Sequence, residues 1–394
     1  MKHKNHIIRF MCVLLPVISF IFADEIYRNQ KATDYQADIH EVTAIMEQEK
    51  QWIRLNQNAD GAIALNRESA PGGDVNPYFA CQAALGLLAG NADQTNLNCT
   101  AAYLNWHIQE FLKHQGAISN YQYVRGNGLV PTGKYDSVDS YIAMLLILTA
   151  RYEEKGGDLR KIASLKDMLF LSQEKLNSLA SDGLTMVSAE NRTLYLMDNA
   201  EVSYACRRIS AMLTHTGPDT VPEDLRQQLY TAFDGLGKRC DASIERRLWN
   251  NTAGRYDLGI DRDGKRIVYR GSAYFYPETI AQLYPYIYGS EKMDSARADS
   301  IYQQVCRDYP LWDQMKIEGT STEWPSLAYA AASAGDIKRA VEYLRSYKSR
   351  HLLDRKYPLN TADAGWVAET CEIILKFYQN NTADGIAAEL EKKV

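Results

Sequence analysis

The chain reads as all-α, an (α/α)6 toroid of six outer and six inner helices with small hairpins in its long loops. Three observations predict this. Amphipathic segments alternate with segments that are apolar nearly all round. The alternation recurs about six times at a period typical of helical repeats. Connections from inner to outer helices are short, whereas those from outer to inner are long. A helix with a polar face sits at a surface, and one without is buried on every side. An open solenoid would not bury every second helix fully, so the ring is expected to close.

The elements follow in chain order. Lys2, His3, Lys4 and Arg9 precede an apolar stretch from Phe10 to Phe22, and Ala23 stands before Asp24 and Glu25. This is the pattern of a signal peptide over 1–23, with an uncleaved anchor as the alternative. It places the protein outside the cytoplasm: secreted, periplasmic or at the cell surface. Residues 24–394 then form a single barrel domain. Outer helices are expected from Ile39, Val42, Met46 and Ile53; from Leu159, Ile162, Leu165, Leu169 and Leu176; from Leu225, Leu229, Phe233 and Leu236; and from Ile337, Val341 and Leu344. Weaker ones run over 101–113 and 291–307. Inner helices are expected at 78–89, 141–150, 197–213, 273–288, 323–334 and 364–377, several of them rich in Ala and Gly. Asp263-Gly264 reads as a hairpin turn between Ile260 and Ile267.

The chain has 394 residues with a formal net charge of -5 and no basic run, which argues against nucleic acid as a partner. Six cysteines follow the leader, widely spaced and without a CxxC pair, so neither a zinc site nor a disulfide framework is indicated. No metal or other cofactor is expected. His107 and His114 read as surface residues of an outer helix. No P-loop, dinucleotide fingerprint or nucleophile elbow is present. Tyrosine is abundant, at 26 residues, and its flat face and polar tip suit sugar stacking as well as helix packing.

The long loops gather where inner helices begin, and each inner helix opens on polar or aromatic residues. These are Asn76 and Tyr78; Asp136, Asp139 and Tyr141; Asp198, Asn199 and Glu201; Tyr276 and Glu278; Glu323 and Trp324; Asp363, Trp366 and Glu369. Together they would form an acidic, aromatic cleft. Helix capping competes with this reading. Asp136 with Asp139, Asp198 with Glu201, and Thr320 with Glu323 have capping-box spacing, and Asn76-Pro77 is a cap followed by proline. Caps account for the acids but not for the aromatics beside them.

Tyr135-Asp136-Ser137-Val138-Asp139-Ser140-Tyr141-Ile142-Ala143 resembles the acidic opening of an inner helix in the six-hairpin glycosidases, most nearly glycoside hydrolase family eight. Trp249-Asn250 with Gly254-Arg255-Tyr256, and Tyr276-Pro277-Glu278 with Gln282-Leu283-Tyr284-Pro285, resemble segments of uncharacterised bacterial six-hairpin proteins. The resemblance implies a barrel acting on a carbohydrate. It also implies a general acid in a Ser-Glu-Gly segment at the first inner helix. Here that place reads Asp74-Val75-Asn76-Pro77-Tyr78, so the acid must come from elsewhere, with Asp60, Glu68 and Asp74 available.

The expectation is a monomeric glycoside hydrolase cleaving a poly- or oligosaccharide by carboxylate acid/base chemistry. Asp139 and Glu278 are the expected pair, with Asp136 as a sugar-holding or alternate catalytic carboxylate. Asp198, Glu201, Glu323, Asn76 and Asp60 would bind hydroxyls, and Tyr78, Tyr141, Trp324 and Trp366 would stack. Carboxyls about 6.5–9.5 Å apart would invert the anomeric centre, and about 5–5.5 Å would retain it. Two alternatives stand beside this: a non-catalytic glycan-binding protein, and a uronate-directed lyase or hydrolase using Arg125, Lys134 or Arg270.

Overall fold

A computed structural model describes residues 36–68, 73–271, 273–290, 293–318, 320 and 323–391, with side chains as far as 381. The expected signal peptide lies outside the described residues. The chain divides into two compact units, Ile45–Ile373 and a second made of Met1–Ala44 with Ile374–Val394. Within the described part of the second, the Tyr378 hydroxyl donates to Asp38 at 2.7 Å.

Twelve helices run through the described chain: α1 (36–55), α2 (Pro77–Leu87), α3 (Gln94–Lys113), α4 (Val138–Glu154), α5 (Leu165–Leu179) and α6 (Leu196–Leu213), then α7 (Glu223–Ser243), α8 (Ile280–Ile287), α9 (Ser295–Asp308), α10 (Ser326–Ser333), α11 (Ile337–His351) and α12 (Thr361–Glu391). Even-numbered helices are the apolar ones. In α4, 13 of 17 residues are buried, whereas in α11 only 6 of 15 are, all on one stripe.

In the unit Ile45–Ile373 the even helices form an inner ring. α2 packs on α4, α4 on α6, α6 on α8 and α8 on α10. Tyr329 of α10 meets Trp366 of α12 with ring centres 5.1 Å apart. The ring closes where α12 crosses α2. A Cβ on Gly86 would lie 2.5 Å from the Gly365 Cα, and one on Gly365 2.1 Å from the Gln82 carbonyl oxygen, so only glycine permits this approach. The odd helices pack outside, and α11 reaches α1 through Glu49. Glu49 is fully buried, takes both Arg355 terminal nitrogens at 2.7 Å and accepts from Tyr347 at 3.2 Å.

The loops before inner helices carry the small strands: β1 (Tyr121–Val124) with β2 (Gly128–Pro131), β3 (Ala180–Ser181) with β4 (Leu184–Thr185), β5 (Leu194–Tyr195), β6 (Trp249–Asn250) with β7 (Arg255–Tyr256), then β8 (Gly259–Ile260) and β9 (Arg266–Ile267). The predicted hairpin is β8–β9, joined in a three-stranded sheet to β5, with Gly259 opposite Ile267 and Ile260 opposite Arg266.

Several boundaries differ from expectation, each for a local reason. Leu159–Lys161 is a separate 3-10 turn capped by Asp158, and a left-handed Ser164 (φ 55°) divides it from α5. α8 begins at Ile280 rather than 273, because Tyr276 precedes Pro277 and is held extended. α10 begins at Ser326 because Pro325 stands at its start and Trp324 is left-handed (φ 49°). His107 is buried, against expectation. Its Nδ1 lies 3.0 Å from the Tyr103 hydroxyl, and burial pushes its pKa down to about 3. All six cysteines are free, and four are buried. Among the described residues no helix is long and apolar enough to cross a membrane, and no three His, Cys, Asp or Glu are grouped to hold a metal ion.

Candidate active site

The openings of α2, α4, α6 and α8 meet on the loop-bearing face. Capping explains fewer of their acids than the spacing suggests. Asn76 does cap α2, accepting from the Phe79 amide at 3.1 Å. Asp363 also acts as a cap residue, accepting from the Asn360 amide at 2.9 Å. Asp136 caps nothing: Ser137 holds the N-cap position of α4, and its hydroxyl donates to Asp198 at 2.9 Å. Asp198 and Glu201 lie inside α6 with their carboxyls turned to neighbouring helices.

These contacts build a graded stack of carboxylates. Asp136 is exposed at the mouth. Asp198 is 8 % exposed, and burial, with the nearby Asp136 charge, raises its pKa to about 7. Glu201 lies deeper, at 1 % exposure. Its carboxylate accepts from the Tyr78 hydroxyl and from the Ser140 hydroxyl, yet burial and Asp198 still push its pKa up to about 8. Asp139 is fully buried, held by the Thr185 hydroxyl at 2.8 Å and the Ser140 amide at 2.9 Å, with its pKa raised by burial and by Asp198. Tyr284 of α8 and Tyr288, just past its end, face Glu201.

An aromatic platform flanks the mouth. Tyr276 is 58 % exposed and stacks on Trp324, with ring centres 5.4 Å apart and planes 22° apart. Burial and the charges of Asp198 and Asp136 raise the Tyr276 phenol, so the platform lies within electrostatic reach of both carboxylates. Trp324 is anchored through its indole N–H to Thr320 at 2.8 Å.

The expected catalytic pair is not brought together at the mouth. Asp139 faces α6 from the first turn of α4, sealed behind Asp198. Glu278 is fully buried and ion-paired to Arg270 at 2.7 Å. Asp60 is exposed and closes a turn, accepting from the Ala62 amide at 3.1 Å, while Gly61 packs on Ala102 of α3. Tyr141 is 5 % exposed with its hydroxyl on Asn120 at 2.9 Å, which leaves it no open face for a sugar. Glu323 pairs with His351 at 3.0 Å, and Trp366 lies against Tyr329. Ser137, Ser140, Asn120 and Thr185 join the site without having been anticipated. The two serines were discoverable, because each directly precedes or follows an acid in the Asp136–Ser140 run.

No protein-family model matches the sequence, and no curated protein does. Solved structures do. A wild-type glycosidase aligns over 87 % of this chain and 98 % of its own at 11 % identity, TM-score 0.56. A novel alpha-amylase from Clostridium perfringens aligns over 83 % and 97 % at 11 % identity, TM-score 0.57. The GH63 mannosylglycerate hydrolase of Thermus thermophilus, solved with glucose, aligns over 84 % and 99 % at 12 % identity, TM-score 0.56. The likeness carries nothing specific to glycoside hydrolase family eight. At these identities it establishes the architecture: the chain has the all-α toroidal fold on which these glycosidases are built.

Proposed function

We propose that the protein is a glycoside hydrolase whose general acid is Asp198 and whose water-activating base is Asp136. One observation carries this reading. Asp136 and Asp198, linked through Ser137, sit in opposite environments, one exposed and one buried with its pKa raised to about 7, near an aromatic platform. Pairs of titratable groups pushed apart by their surroundings divide into acid and base. At neutral pH Asp198 keeps a substantial protonated fraction to give to a leaving oxygen. Asp136, open to solvent, is placed to take a proton from water.

The remaining residues support those two. Ser137 orients the Asp198 carboxyl, while burial and the charge of Asp136 keep its proton on. Tyr276, backed by Trp324, stacks on the sugar ring. The shared fold with glycosidases supports the reaction class. Export belongs to the same reading, on the strength of the N-terminal 1–23 pattern. Mature protein recovered from outside the cytoplasm should begin at Asp24.

The test is reducing-end release from a panel of neutral, amino and acidic polysaccharides. Asp198→Asn and Asp136→Asn, each folded, should lose about a hundredfold or more in kcat, the usual scale of acid/base catalysis. Full activity in both variants would remove the assignment. Calorimetric binding of a glycan with no product from wild type would turn the reading to a glycan-binding protein.

A further inference from the structure

The residues leading into α8 form an exposed strip. Tyr274 and Tyr276 are both 58 % exposed and both extended, while Phe275 between them is buried. Arg270 lies on the same strip, its guanidinium carbon 5.3 Å from the Tyr274 ring centre. Tyr276 lies within reach of the charges of Asp198 and Asp136, and Arg270 covers the ring of Tyr274, two residues before Tyr276.

Arg270 is held from behind. Its Nε donates to Glu278 Oε1 at 2.7 Å, and Glu278 is 0 % exposed while Arg270 is 67 % exposed. Among the described residues, Glu278 Oε2 has no hydrogen-bond partner, so Arg270 is the contact that pins this buried carboxyl. With Nε committed and one face on Tyr274, the two terminal nitrogens point away from the anchor. No hydrogen bond within the described chain occupies them. A guanidinium fixed in this way presents a planar fork suited to a carboxylate or sulfate. Arg125 and Lys134, the other loop cations, are exposed and have no such anchor among the described residues.

We propose that Arg270 is an anion-reading subsite, and that the glycan carries a carboxylate or sulfate on a sugar lying beyond the platform. This deepens the glycosidase reading by naming a substrate class, and it rests on that reading only for the cleavage, not for the binding.

The experiment is calorimetry in 0.15 M salt (about the physiological ionic strength) with matched oligosaccharide pairs. Oligogalacturonate, oligoalginate and hyaluronan oligomers are compared with their carboxyl-reduced forms, and chondroitin sulfate oligomers with their desulfated forms. The carboxylate and sulfate arms identify the anion. At least one anionic member should bind about tenfold more tightly than its neutral partner, the scale of one charge-assisted contact. Arg270→Lys keeps a charge for Glu278 but loses the fork. The double variant Arg270→Met/Glu278→Gln leaves no buried charge unpaired. Both should abolish the preference while still binding neutral partners. Equal or weaker binding of every anionic member, or a preference that survives in both variants, overturns the proposal. Cleavage of neutral glycans alone would leave the hydrolase reading standing without this one. Arg270-dependent binding with no product would do the reverse.

Discussion

At the residue scale, the site depends on where each carboxyl turns. Asp198 and Glu201 have the spacing of a cap box, and sequence alone cannot tell a carboxyl facing its own backbone from one facing a neighbouring helix. The deciding contacts, Ser137 to Asp198 and Ser140 to Glu201, come from α4, 61 residues away. The acids were legible as a set, whereas their division into exposed, half-hidden and sealed was not. This grading has a stability consequence. A carboxyl whose folded pKa is raised favours the native state while protonated, and that contribution is lost as pH rises through the folded value. For Glu201 the loss runs from about 4.5, its ordinary value, to about 8. Glu201→Gln should flatten the fall in melting temperature across that window, and an unchanged slope would show that Glu201 is not the group responsible.

At the scale of elements, helix identity was legible and helix ends were not. The apolar run of α4 and the stripe of α11 named themselves, because burial on all sides and burial on one side leave different patterns. Ends were set by proline and by single left-handed residues, as at Tyr276-Pro277 and Trp324-Pro325, where the pattern still read as helix. Those two irregular starts build the platform. Tyr276→Ala should raise KM about tenfold with a small change in kcat, and Tyr276→Phe should restore most of it, because stacking needs the ring rather than the hydroxyl. An equal loss in kcat for both would place Tyr276 in the chemistry instead. Packing between elements is tested at the α2–α12 crossing. Gly86→Ala forces the helices apart and should cost about 1–3 kcal/mol by denaturant unfolding. A neutral effect would mean that the ring closes by some other contact.

At the scale of the whole molecule, alternation and loop asymmetry were enough to predict the ring and the face on which the long loops gather. They could not predict what fills the axis. Contacts between inner helices that are not ring neighbours do so: Tyr78 to Glu201 joins α2 to α6, and Arg151 of α4 with Lys155 at its C-cap both reach Glu372 of α12 at 2.7 Å. At the mouth, burial and the charge of Asp136 act together on Asp198. The pH dependence of kcat/KM, measured on a glycan that the wild type cleaves, therefore tests the account most directly. With Asp198 as the general acid, the profile has an alkaline limb with a midpoint near pH 7, absent from the residual activity of Asp198→Asn. The same limb persisting in Asp198→Asn at an undiminished rate would contradict it.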